Sequence, residues 1–211
     1  IKKNLFVFEL SSKKNIVLVS IKNNLKTSDI ENLGAEFFGR INYGKNSEYF
    51  VISDSIVGKY DNFLGYFLHG LKLKSYQFNK YKSKKETRII SINVIGIKNK
   101  PSAQNQLKFK ALEEGTFYAR DLVSEPGNIL HPDEYAKRLN SLRKDGLKVN
   151  IYDEKKLKKL GMYALLGVGQ GSIRGSYLVT MEWNGGKNNS KPLAFVGKGV
   201  CFDTGGYSLK P

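Results

Sequence analysis

The last sixteen residues, Val196–Pro211, concentrate reactive side chains and glycines in one short stretch. They read Val-Gly-Lys-Gly-Val-Cys-Phe-Asp-Thr-Gly-Gly-Tyr-Ser-Leu-Lys-Pro and contain two lysines, one aspartate and four glycines. Lys198 lies between two glycines, so the backbone can approach a ligand closely there, and Gly205-Gly206 permits a turn that other residues resist. The preceding run Pro192–Gly197 predicts a buried strand, and α/β sheets commonly bind ligands where such strands end.

Three stretches of the chain resemble the leucyl aminopeptidase (cytosol aminopeptidase) family. The family signature runs from V-G-K-G into F-D-T-G-G and then S-L-K-P, as Val196–Pro211 does, with departures at Cys201 and Tyr207 from the commoner Thr and Ile. Two upstream stretches also match, Ala119–Asn128 and Gly161–Ser172. The resemblance therefore covers roughly the second half of the chain.

The resemblance implies a metal-dependent aminopeptidase that removes leucine-like N-terminal residues from peptides with a free N-terminus. In the family, the lysine matching Lys198 binds one of two divalent metals, manganese or zinc. The aspartate matching Asp203 sits between both metals, and the lysine matching Lys210 faces the scissile carbonyl. Relatives are cytoplasmic homohexamers, which sets the same expectation for the complete protein.

The two lysines need different protonation states for these roles, because a lysine can bind a metal only as the neutral amine. An ordinary lysine has a pKa of about 10.4, and burial beside a dication is a recognised way to lower it. Lys198 is therefore expected to be neutral, and Lys210 to stay protonated and stabilise the oxyanion formed during hydrolysis. Two metals about 3.5–4 Å apart would activate a bridging water.

The triplet Asp203-Thr204-Gly205 also occurs in aspartic proteases, where two carboxylates share one proton. Those enzymes need a second Asp-Thr-Gly and usually a Ser or Thr next, whereas Gly206 follows here. The aminopeptidase interpretation is preferred.

The net charge of +16 is concentrated in one stretch and raises a second hypothesis. Residues 71–100 hold nine Lys or Arg against one acid, which gives +8. Aromatic residues alternate with lysines there, the mixture that single-strand nucleic-acid binders use for stacking and phosphate contact. A solvated lysine-rich linker is the simpler interpretation. The candidate nucleic-acid contacts are Lys80, Lys82, Lys84 and Lys85.

The composition, 40% hydrophobic and 26% charged over 211 residues, predicts a globular chain with room for two small cores. Cys201 is the one cysteine, which excludes an internal disulfide and fits a reducing cytoplasm. We expect it to be a small buried strand residue. No apolar run approaches the length of about 20 residues that a membrane span needs.

Hydrophobic patterning predicts an α/β fold: a small N-terminal α/β domain (1–103), a long linking helix (104–124) and the start of an α/β metallopeptidase-type catalytic domain (125–211). Within the linking helix, Ala111, Gly115 and Ala119 predict a smooth seam for another helix. His131 is expected at a helix entry, and Gly167–Ser172 in a turn rather than a phosphate loop. Predicted strands cover 4–10, 15–20, 49–53, 88–96, 147–152, 176–183 and 192–197, and predicted helices cover 28–38, 63–71, 106–123 and 131–144.

The family's remaining metal ligands and its catalytic arginine follow the signature, and no Asp-Ala-Glu occurs in residues 1–211. The sequence is therefore expected to be part of a longer catalytic domain. Alone, it is expected to lack peptidase activity and to bind divalent metal weakly, since Lys198 and Asp203 cannot hold two dications by themselves.

Overall fold

In the computed structural model, the chain alternates strands with helices and divides into two units, Ile1–Ser124 and Glu125–Pro211. The structure describes residues 4–11, 14–44, 46–58, 60–84, 88–186 and 191–202. The α/β class predicted from the sequence is confirmed. Within the described ranges, no helix is both long and apolar enough to cross a membrane.

The first unit begins with an antiparallel hairpin of β1 (Leu5–Ser11) and β2 (Lys14–Val19). Leu5 pairs with Val19 and Val7 with Val17. Leu5 is buried, and both valines of β2 pack against the core. The two predicted strands are confirmed to within one residue at each end.

Two helices, α1 (Thr27–Ile41) and α2 (Phe63–Lys74), supply most of that core. Their buried side chains interleave, with the rings of Phe37 and Phe67 5.6 Å apart. The two backbones cross closely because glycines lie at the crossing. A Cβ at Gly34 would lie 1.9 Å from the Phe67 carbonyl oxygen, and one at Gly70 would lie 1.9 Å from the Glu31 carbonyl oxygen.

A second sheet of the first unit pairs β3 (Glu48–Ile52) with β4 (Ser91–Ile95) in parallel, Glu48 opposite Ser91. A 3-10 turn follows β3, and Asp54 in it accepts hydrogen bonds from the backbone N–H of Ile97 and Lys98 after β4. The predicted strand from Arg88 starts three residues later, at Ser91. The Arg88 guanidinium donates hydrogen bonds to the carbonyl oxygens of Ile41 and Asn42 at the end of α1.

The long helix α3 (Ala103–Ser124) ends just before Glu125-Pro126, as predicted. It packs on α2, where buried His69 contacts Glu113 of α3 (Nδ1–Oε1 3.2 Å) and stacks near Phe109. The expected helix-packing seam is not used within the described chain. Nothing lies within 4 Å of a Cβ built at Gly115, and Ala111 and Ala119 are exposed.

The second unit contains the sheet of β5 (Lys148–Tyr152) and β6 (Leu178–Glu182), which is antiparallel. Three helices accompany it: α4 (Pro132–Asn140), α5 (Glu154–Lys159) and α6 (Tyr163–Gly169). Val149 and Leu157 are fully buried between these elements. The helix predicted to reach Lys144 ends at Asn140 and continues as a 3-10 turn, Ser141–Asp145.

Candidate functional site

Residues 191–202, which carry the first part of the signature, have no regular secondary structure and are almost all exposed. The predicted strand Pro192–Gly197 is therefore wrong. An apolar run forms a strand only where a neighbouring strand completes its hydrogen bonds, and neither β5 nor β6 pairs with residues 191–202.

The structure describes one of the three predicted site residues. Lys198 is exposed and lies outside any helix or strand. Asp203, Lys210 and the Gly205-Gly206 turn lie outside the described residues. The predicted site of Lys198, Asp203 and Lys210 therefore remains a prediction.

Two close contacts place the Lys198 segment against α4 and the residues that precede it. A Cβ at Gly199 would lie 2.7 Å from the ring of Tyr135. A Cβ at Gly127 would lie 3.2 Å from the Cys201 carbonyl oxygen and 3.3 Å from Phe202 Cβ. Each glycine permits an approach that a side chain would block, so Gly127 and Tyr135 lie close to residues 199–202.

A partly buried ion pair joins Glu125, which precedes these residues, to Arg138 of α4. The Glu125 side chain is 2% exposed and accepts a hydrogen bond from Arg138 of α4 at 3.0 Å. Arg138 also donates to Glu134 at 3.1 Å. The hydrogen bond to Glu125, helped by that to Glu134, raises the pKa of Arg138. Sequence reasoning missed this pair, although Glu125 lies in the quoted stretch Ala119–Asn128.

His131 occupies the N-cap of α4 with Pro132 at the first helical position, which confirms the expected helix entry. Its Nδ1 contacts Asp133, and Arg174 donates to the same carboxylate at 3.1 Å. Partial desolvation would raise the pKa of Asp133, but the hydrogen bond to His131 and the nearby charges lower it overall. Both oxygens of Asp133 are therefore engaged in structural contacts.

Cys201 is half-buried and belongs to no strand, so its predicted position in a buried strand is wrong. Burial, with a smaller contribution from the Asp133 charge, raises the pKa of its thiol. A thiol in this state stays protonated near neutral pH and is a weak nucleophile. The arrangement does not favour cysteine catalysis.

The described residues alone do not assemble a metal centre. Among them, no group of three or more His, Cys, Asp or Glu side chains could hold a metal ion. Lys198 is the described member of the expected donor set, and it is exposed and lies outside any helix, strand or turn. Its role as a metal ligand, together with the carboxylate of Asp203, remains a prediction.

The basic stretch of the first unit does not form a free stacking surface. The hydroxyl of Tyr76 donates to Asp121 at 2.7 Å, and its ring packs on Phe117. Phe78 packs edge-on against Tyr81. Lys80, Lys82 and Lys84 are exposed, and Lys85 lies outside the described residues. Nothing found here supports the nucleic-acid hypothesis.

Residues 117–211 match the model of the cytosol aminopeptidase family, catalytic domain. A probable cytosol aminopeptidase of Nitrobacter winogradskyi is 40% identical over 192 residues, covering 89% of this chain and 38% of that protein. Its counterpart in Brucella ovis is 49% identical over 148 residues, covering 67% of this chain and 30% of that protein. The chain belongs to the cytosol aminopeptidase family.

Solved structures agree with this assignment at the level of the fold. A tomato leucine aminopeptidase mutant superimposes with a TM-score of 0.79 at 22% identity, covering 95% of this chain and 42% of that one. The bottromycin maturation enzyme BotP in complex with Mn gives 0.67 at 20% identity, covering 84% of this chain and 38% of that one. This cytosol aminopeptidase family member thus spans about 30–40% of the length of the relatives it matches.

Proposed function

We propose that the natural protein containing this chain is a metal-dependent aminopeptidase that hydrolyses leucine-like N-terminal residues from peptides. The observation that carries the proposal is the match of residues 117–211 to the catalytic-domain model of the family. The match includes all of Val196–Pro211, where the lysines and the aspartate occur at the family's spacing.

Lys198 and Asp203 are the proposed metal ligands, and manganese or zinc is the proposed metal, with two ions in the complete site. The Mn-bound BotP structure supports a divalent metal in this fold. Bound metal would polarise the scissile carbonyl and supply hydroxide near neutral pH. Lys198 must lose its proton to bind, and the glycines beside it allow the amine to reach the ion without obstruction.

Lys210 is proposed to act on the substrate rather than on the metal. As a protonated amine it would stabilise the negative charge that develops on the carbonyl oxygen in the transition state. Gly127 and Tyr135 would act as positioning residues, because they contact the segment between Lys198 and Asp203. We further propose a cytoplasmic location and a homohexameric assembly for the complete protein.

The test is a kinetic assay of the natural protein on a leucyl peptide, before and after chelation and manganese restoration. Lys210→Ala is expected to lower kcat about 10²-fold or more with little change in metal content. The exposed Lys191 of the same segment provides the matched control, Lys191→Ala, which should leave kcat unchanged. Activity that survives chelation, or a Lys210→Ala enzyme within about tenfold of wild type, would refute the assigned roles.

A further inference from the structure

An open cleft of about 390 Å³ lies on the first unit, lined by residues of α1, α2 and α3. Its volume falls within the range of about 300–1,000 Å³ that small-molecule sites occupy. Three charged side chains line it, one from each helix: Glu31 of α1, Lys74 of α2 and Arg120 of α3. Ala35 and Leu73 form its apolar part. The cleft therefore combines both signs of charge with an apolar wall.

The two cations of the cleft have no carboxylate partner among the described residues. The Arg120 guanidinium donates to the carbonyl oxygen of Leu73 and lies 5.5 Å from the ring centre of Tyr76, and both of these partners are uncharged. Lys74 is exposed. A guanidinium has five N–H donors in a planar fork that suits a carboxylate, and a nearby ammonium group adds to the attraction. This part of the cleft therefore favours a carboxylate ligand.

Glu31 supplies the opposite charge of the cleft. Its side chain is 34% exposed, and its Oε1 lies 3.9 Å from Nε2 of the buried His69. The other nitrogen of that ring, Nδ1, contacts Glu113 at 3.2 Å. One imidazole can neutralise at most one of these two carboxylates, so the cluster keeps a net negative charge. Because Glu31 is the member that lines the cleft, it can accept a hydrogen bond from an ammonium group there.

The spacing of these charges along α2 matches an α-amino acid. The Glu31 backbone lies against Gly70, since a Cβ there would be 1.9 Å from the Glu31 carbonyl oxygen. Arg120 reaches Leu73 of the same helix, and the rise from Gly70 to Leu73 is about 4.5 Å. An α-amino acid carries its two charges about 3 Å apart, and a hydrogen bond of about 2.9 Å at each end lets it span up to about 9 Å. A zwitterion can therefore reach both charges at once.

We infer that this cleft binds a free α-amino acid with an apolar side chain. Arg120 and Lys74 donate hydrogen bonds to its carboxylate, and Glu31 accepts one from its ammonium group. The apolar side chain packs on Ala35 and Leu73. Every residue that lines the cleft belongs to the first unit, so the inference depends neither on the proposed metal ligands nor on peptidase activity.

Isothermal titration calorimetry of the natural protein with L-leucine tests the inference, after chelation so that no metal ion can hold the amine. We expect a dissociation constant of about 0.1–1 mM for a ligand of this size in an open cleft. Isocaproate lacks the amine of leucine, and isopentylamine lacks the carboxylate. Each should bind about tenfold more weakly or worse, because one charged contact is lost.

Paired substitutions locate the bound leucine. Glu31→Gln should weaken binding about tenfold, and Lys74→Gln about threefold because Lys74 is exposed. Glu36→Gln and Lys72→Gln remove the same charges from exposed positions of the same two helices outside the cleft, and they should leave the dissociation constant unchanged. Circular dichroism confirms that each variant is folded. The inference would be overturned by no binding at about 10 mM L-leucine, by equal binding of isocaproate, or by unchanged affinity in both cleft variants.

Discussion

The crossing of α1 and α2 yields the most quantitative prediction, through the substitution Gly34→Ala. The added Cβ would lie 1.9 Å from the carbonyl oxygen of Phe67 and 3.0 Å from the amide nitrogen of Leu71. Both are backbone atoms of a helix, so no rotamer change can relieve the contact. The two helices would have to separate by about 1.5 Å to restore van der Waals distances.

That separation would loosen the core on both sides of the crossing. A gap of 0.5–1 Å already forfeits about a quarter to a half of a dispersion contact, and overpacking a core costs about 1–3 kcal/mol or more. The higher helix propensity of alanine offsets up to about 1 kcal/mol of this cost. We therefore expect the first unit to lose about 2 kcal/mol of unfolding free energy.

Urea unfolding measures this loss, with Gly39→Ala as the matched control in the same helix. Nothing lies within 4 Å of a Cβ at Gly39, so that change should be neutral or stabilising. Circular dichroism follows mainly the first unit, which holds the three longest described helices, and fluorescence of Trp183, the single tryptophan, reports on the second. If Gly34→Ala proved as stable as Gly39→Ala, the close crossing of α1 and α2 would be refuted.

Three further predictions concern other contacts. Glu125→Gln should destabilise the second unit by about 2–3 kcal/mol in urea unfolding, because it leaves the partly buried Arg138 charge without its closest partner. The double change with Arg138→Met should recover much of the lost stability. The backbone hydrogen bonds to Asp54 lower its pKa, so the stability it contributes is present above the ordinary value of 3.8 and is lost as pH falls through the lower folded value. Unfolding of Asp54→Asn between pH 6 and pH 2 should therefore show a weaker acid-side decline than wild type does. Gly115→Ala should raise the thermal midpoint, because the new methyl group meets no atom and alanine has a helix propensity about 0.5–1 kcal/mol more favourable than glycine. A lower midpoint would show that another element packs on Ala111, Gly115 and Ala119 of α3.

Local patterns were sufficient to predict most helices and strands of this chain. The apolar positions at spacings of three and four gave α2, and short β-branched runs gave β1 and β2 to within one residue. The helices α5 and α6 were not predicted, because they span only six and seven residues. Asp153, whose side chain accepts from the Lys156 N–H at the start of α5, was the available signal.

Features that depend on distant residues could not be read from the sequence. The predicted strand Pro192–Gly197 has the right composition but no described partner. The parallel pairing of β3 with β4 joins segments about forty residues apart, which no local pattern specifies. At the site, the motif identified Lys198, whereas the Tyr135 and Gly127 contacts arise only once α4 has packed.

Anomalous scattering from manganese-loaded crystals of the natural protein tests the central claim most directly. The account predicts two peaks about 3.5–4 Å apart. The Asp203 carboxylate should lie between them, the Lys198 amine should bind one of them, and Lys210 should approach neither. Peaks remote from Lys198, or an Asp203→Ala protein that retains both peaks, would contradict the assignment of Val196–Pro211 as the metal site.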